Sequence, residues 1–181
     1  KEWFQYYEPR DFKLDGKKVN FYFDTAYTDK EQNDPTAGIA YVKEGANLYI
    51  LECAAEWLDF SGQIQFVKDF TRRNGYTPFS IIRVEPKATG ITLVQVLRKQ
   101  TGLNVKEGQP PKGDKVARAH SCEGTIEGGR VFLPRGMAWV DHFLAECASF
   151  PNAAHDDRVD CLTGMIISEA AATVRIHSTA R

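Results

Sequence analysis

The chain of 181 residues lacks a long hydrophobic run, a paired-cysteine motif and any appreciable net charge. No apolar stretch approaches the roughly 20 residues that a membrane helix needs, and the first residues do not have the form of a signal peptide, so no membrane partner is expected. The four cysteines (Cys53, Cys122, Cys147 and Cys161) are widely spaced, with no C-x-x-C pair. Such spacing argues against a zinc site and for buried, reduced thiols. A phosphate-cradling G-x-x-x-x-G-K-[ST] loop is missing, so these residues hold no P-loop nucleotide site. Internal repeats and low-complexity segments are also absent. The chain opens on Lys1 rather than Met, as expected of a domain excised from something longer.

What is present is an ordinary globular composition, 43% hydrophobic and 26% charged, long enough for one well-buried core. The net charge of −1 hides an uneven distribution. Residues 72–135 contain twelve Lys/Arg against five Asp/Glu, while the remainder carries eleven against nineteen. A basic nucleic-acid groove beside an acidic centre would produce this pattern, and so would a scatter of solvated charges.

Periodicity supplies the element order. Residues 1–18 read as a polar, aromatic lead-in that packs against the domain. "VNFYFDTAY" (19–27) has the Val, Phe and Tyr content of a strand, and residues 36–57 form two more strands around a Gly-Ala-Asn turn. The spacing then becomes helical over 60–75, with Ser61 as N-cap and Gly75 as stop. Short strands at 79–86, 103–108 and 130–134 alternate with helices at 90–102, 115–129, 136–151 and 157–171. The order predicts an α/β fold: an antiparallel three-strand meander extended by parallel strands, with helices on both faces. A single domain is expected over 1–181, with its core at 19–168 and a C-terminal tail at 169–181. Trp57 and Trp139 are expected in the core.

Three groups of acids stand out. Asp24 interrupts an apolar strand, which fits either a paired or metal-bound carboxylate or a strand-edge group facing water. Glu85 ends "SIIRVEP", and strand C-terminal ends line the crevice where open α/β sheets bind ligands. His155, Asp156, Asp157 and Asp160 crowd the start of the last helix; capping and the helix dipole explain one aspartate readily and three less well. Oxygen-rich sites of this kind suit Mg²⁺ or Mn²⁺, and two such ions roughly 4 Å apart clamp both reacting oxygens of a phosphodiester.

This element order, with "FDTAY" at the first acid, "RVEPKATG" at the second and "KGDKVARAHSCEGTIEGGRVFLP" leading to "FLAECASFPNAAHDDRVDCL", resembles the RNase H-like nucleases. Within them it is similar to the C-terminal nuclease domain of the large terminase subunit of tailed bacteriophages. The resemblance implies a metal-dependent endonuclease that cuts concatemeric double-stranded DNA during genome packaging in the host cell cytoplasm. It implies two Mg²⁺ or Mn²⁺ ions held by Asp24, Glu85 and Asp157, with Asp156 or Asp160 as a further ligand and His155 alongside. It also implies an N-terminal ATPase domain in the same protein, and a portal and a small terminase subunit as partners. Lys112, Lys115 and Arg118 around the start of the basic helix, and Lys87 beside Glu85, are the expected DNA contacts, neutralising phosphates without reading sequence. A Holliday-junction resolvase or RNase H-type enzyme would use the same acids on branched DNA or on an RNA–DNA hybrid. A docking module with an inert site would bind a packaging partner without binding metal.

Overall fold

The computed structural model describes residues 2–26, 34–110, 113–153 and 155–178. Seven strands form one mixed sheet in the order β1-β7-β4-β3-β2-β5-β6. Strands β2 (Val19–Asp24), β3 (Thr36–Glu44) and β4 (Asn47–Glu56) are the antiparallel meander. Strands β5 (Ile82–Val84) and β6 (Val105–Glu107) extend it in parallel beyond β2, and β7 (Val131–Pro134) runs parallel to β4. The predicted α/β layout is thus present. The lead-in holds one more strand than periodicity showed: β1 (Gln5–Tyr7) pairs in parallel with β7.

Alternation along β2 divides the two layers. Phe21 and Phe23 point to the face covered by α1 (Phe60–Arg73) and α2 (Ala88–Gln100), packing with Phe66, Val67, Phe70, Val94 and Leu97. Tyr22 points to the opposite face, with Ile39, Tyr41, Phe143, Leu162 and Met165, under α3 (Lys115–Glu127), α4 (Ala138–Ser149) and α5 (Asp157–Ser178). Each such fully buried aromatic contributes about 1.5–3 kcal/mol by leaving water. The same alternation puts Asp24 on the Tyr22 face, towards α3 and α5.

Two glycines allow the approaches this needs. A Cβ at Gly164 would lie 2.3 Å from the Tyr22 ring, so only glycine lets α5 sit this close to β2. A Cβ at Gly90 would lie 2.1 Å from the Glu85 carbonyl oxygen, where α2 starts against the end of β5.

Some local expectations are corrected. The N-cap of α1 is Asp59, whose carboxylate accepts the Gly62 N–H at 2.6 Å, rather than Ser61. Helix α5 runs to Ser178, one of the two forms open to the C-terminal tail. Trp57 is 42% exposed at the end of β4, whereas Trp139 packs against the core. Cys53, Cys122 and Cys161 are buried, Cys147 is half-buried, and none forms a disulfide. Among the described residues, no helix is long and apolar enough to cross a membrane.

Candidate metal centre

Asp24 ends β2 and Glu85 follows the last residue of β5. Because these strands are parallel neighbours, their C-terminal ends bring both carboxyl groups to one corner of the sheet. The Glu85 N–H donates to the Phe23 carbonyl at 2.8 Å, fixing Glu85 beside Asp24, and the two side chains share a hydrogen bond. Both are almost completely buried. Burial, then the Glu85 carboxylate, pushes Asp24 well above the usual carboxylate range. Burial also opposes ionisation of Glu85, but hydrogen bonds from Asp24 and Lys87 and the charges of Lys87 and Arg118 outweigh it and lower its pKa.

The start of α5 supplies the other wall. Asp157 and Asp160, one turn apart on the helix, are both buried. Asp160 joins the strand-end pair: Arg118 spans Glu85 Oε1 at 2.8 Å and Asp160 Oδ1 at 3.1 Å. Lys115 bridges Asp156 Oδ1 at 2.6 Å and Asp160 Oδ2 at 3.2 Å. Asp157 belongs to a different group, in which Asp34, His155 and Asp157 each place one ligand atom within 4.8 Å of the others. His155 Nδ1 lies 3.7 Å from Asp34 Oδ1, and its ring meets Trp57 edge-on at 5.6 Å.

Capping of α5 accounts for only part of the crowding of acids at its start. The free N–H groups of Arg158 and Val159 are taken by Glu146, reaching across from α4 at 2.7 and 3.3 Å, while Arg158 Nη1 pairs with the same carboxylate at 2.9 Å. Asp157 keeps a hydrogen bond with its own backbone but has one oxygen to spare. Its Oδ2 is buried and has no hydrogen-bond partner among the described residues. Burial, then the charges of Asp34, Glu146 and Asp156, pushes its carboxyl up to about 7. A buried carboxylate oxygen with no donor is costly unless a cation satisfies it. The donor set, carboxylate oxygens with one imidazole, fits a hard or borderline divalent ion such as Mg²⁺, Mn²⁺ or Zn²⁺.

Of the residues expected at the site, Asp24, Glu85, Asp156, Asp157, Asp160 and His155 all reach this end of the molecule, in two adjoining groups. Lys87, Lys115 and Arg118 all pair with the acids: Lys87 Nζ lies 3.0 and 3.1 Å from the two Asp24 oxygens and 2.6 Å from Glu85 Oε2. Lys112 lies outside the described residues. Asp34 escaped the sequence reading. The available signal was topological, because an antiparallel return from β2 must bring the residues before Thr36 back beside the end that carries Asp24.

The sequence profile of the terminase RNase H-like domain matches residues 21–169, from the first core strand to the middle of α5. The chain belongs to this family. No curated protein matches this terminase domain in sequence. Among solved structures, it is similar to the Mn-soaked terminase nuclease domain of human cytomegalovirus, at TM-score 0.60 and 11% identity over 91% of this chain and 88% of that one. It is similar also to the large terminase nuclease of thermophilic phage G20c with bound zinc, at TM-score 0.58 and 20% identity over 89% and 90% of the two chains. A third likeness is to the large terminase of another thermophilic bacteriophage in complex with ATP-γ-S, at TM-score 0.59 and 11% identity. That match covers 87% of this chain but 44% of the nucleotide-bound terminase. These likenesses establish the RNase H-like terminase fold.

Proposed function

We propose that this terminase domain is a metal-dependent endonuclease that hydrolyses phosphodiester bonds of double-stranded DNA during viral genome packaging. The observation that carries the reading is Asp157: a buried carboxylate oxygen with no partner among the described residues, one helical turn from Asp160, at the end of the sheet that carries Asp24 and Glu85, on a helix whose Arg158 and Val159 N–H groups are taken by Glu146. Asp24, Glu85 and Asp157 are the residues that would hold the divalent ions, with Asp34, Asp156, Asp160 and His155 adjoining. When bound, such ions supply a hydroxide nucleophile at neutral pH and neutralise the departing oxygen. The rest of the work belongs to the chain. Burial of the carboxylates in a low-dielectric corner strengthens their hold on positive charge. Arg118, almost fully buried, fixes the orientations of Glu85 and Asp160 at once through its planar fork. Parallel β2 and β5 supply a rigid base, so the acids keep their spacing while DNA is engaged.

The metal-bound relatives and the family support this reading, and the likeness to part of a terminase that binds ATP-γ-S supports an ATPase region in the same polypeptide. The packaging partners follow from it as proposals: double-stranded DNA, a portal and a small terminase subunit. Incubating supercoiled plasmid with the chain in Mn²⁺, Mg²⁺ or EDTA, beside Asp24→Asn and Asp157→Ala, is the test. Metal-dependent nicking that both variants lose is expected. Nicking that survives both substitutions would contradict the assignment.

A further inference from the structure

The Asp24–Glu85 corner already holds a positive charge. Lys87 Nζ touches both oxygens of Asp24, at 3.0 and 3.1 Å, and Glu85 Oε2 at 2.6 Å. A divalent ion shared by Asp24 and Glu85 would need the lone pairs of those same oxygens, and two cations cannot occupy that space together. The neighbouring Arg118 is different in kind. Its side chain is 9% exposed, and its two terminal nitrogens are spread over Glu85 and Asp160, so it is a fixed part of the wall.

Lys87 is built to leave. Its side chain is 43% exposed, on a flexible four-carbon stem. It stands at the N-cap of α2 yet makes no side-chain capping bond. Its backbone is anchored independently, the Lys87 N–H donating to the Glu85 carbonyl at 2.8 Å and the Ile91 N–H to the Lys87 carbonyl at 2.9 Å. The ammonium can therefore withdraw without disturbing the helix start. Without it, two buried carboxyl groups in contact would be left facing each other.

We propose that the Lys87 ammonium is an exchangeable stand-in for the divalent cation, neutralising Asp24 and Glu85 in the metal-free protein and leaving when an ion binds. The inference rests on the metal-dependent reading above. It makes Lys87 a positioning residue that sets the threshold for metal loading: the apparent affinity is reduced by the fraction of time the ammonium fills the site. The exposed exit side is also where a DNA phosphate would receive the displaced charge.

Mn²⁺ titrated calorimetrically into the metal-free chain tests it. Lys87→Met is expected to bind Mn²⁺ about tenfold more tightly than the unchanged protein, as for a competitor occupying the site about nine-tenths of the time. Lys87→Arg, which keeps the charge, is expected to stay within about threefold of the unchanged protein on the same argument. Mn²⁺ binding by Lys87→Met that is equal or weaker would overturn the inference. A second readout needs no variant: amine-acetylation of Lys87, followed by mass spectrometry, is expected to accelerate when Mn²⁺ is added. Unchanged protection of Lys87 in saturating Mn²⁺ would overturn the inference even if Lys87→Met failed to fold. Failure of the unchanged protein to bind Mn²⁺ at all would overturn the metal-dependent reading itself, a separate outcome.

Discussion

Two groups of buried carboxylates lie on one face of the sheet, each supplied in part by α5, and they are handled in opposite ways. Around Glu169, every charge is answered: Tyr41 donates its hydroxyl at 2.6 Å, Arg83 Nη1 lies at 2.9 Å and Lys43 Nζ at 3.3 Å. Burial disfavours the Glu169 carboxylate, but the Tyr41 hydrogen bond and the charges of Arg83 and Lys43 outweigh it and lower its pKa. Around Asp157, at the start of the same helix, acids crowd together, one oxygen has no donor among the described residues, and the pKa is driven up to about 7. The first network docks a helix onto a sheet. The second is a set of carboxylates held together at a cost in stability, the arrangement expected of the proposed cation site.

The comparison breaks most visibly in activity. Asp157→Ala and Asp24→Asn should each lower metal-dependent plasmid cleavage by about a thousandfold, the scale of losing a group that stabilises transition-state charge. Glu169→Gln should leave the cleavage rate within about twofold, because its network touches none of the site acids, a difference too small to register as lost transition-state stabilisation. Stability reverses the order. Glu169→Gln removes one partner from a buried ion network and should cost about 3 kcal/mol in denaturant unfolding. Gly164→Ala forces a methyl group into the Tyr22 ring and should cost about 1–3 kcal/mol, with α5 shifted away from β2.

The smallest effect is the most diagnostic. In the metal-free protein the raised Asp157 pKa means that the folded chain holds this proton more tightly than the unfolded one. Its contribution is complete below the ordinary value of 3.8 and is lost as pH rises to about 7. Asp157→Asn should therefore raise the metal-free Tm at pH 8 by on the order of a few degrees. The depressed Glu169 pKa has the opposite sign: its contribution is present above the ordinary 4.5 and is lost as pH falls below it. Thermal unfolding between pH 3 and 8 reads both slopes, and Glu169→Gln should flatten only the acid side.

Much of this was legible in the chain itself, for reasons that differ by residue. Asp24 announced itself because a carboxylate inside "FYFDTAY" conflicts with the apolar strand around it, and Glu85 because a strand ends there. The element order followed from periodicity, which survives folding because each face must be buried. Contacts made by long side chains across the fold were not legible. Lys87, Lys115 and Arg118 read as phosphate contacts; their ion pairs with the site acids are a tertiary effect that no local pattern records. Part of the cap on α5 comes from Glu146, twelve residues before Arg158 on another helix, which the sequence could not show. Strand β1 escaped because it is three residues long, and its place beside β7 is set by tertiary pairing rather than by alternation.

The most direct test of the account is an anomalous-scattering map from a crystal soaked in Mn²⁺. The account predicts density at the corner formed by Asp24, Glu85 and Asp160, beside Asp157, with the Lys87 ammonium moved off both strand-end acids and the Glu169 network unchanged. A soaked crystal with no peak at that corner, or with Mn²⁺ bound only elsewhere, would contradict it.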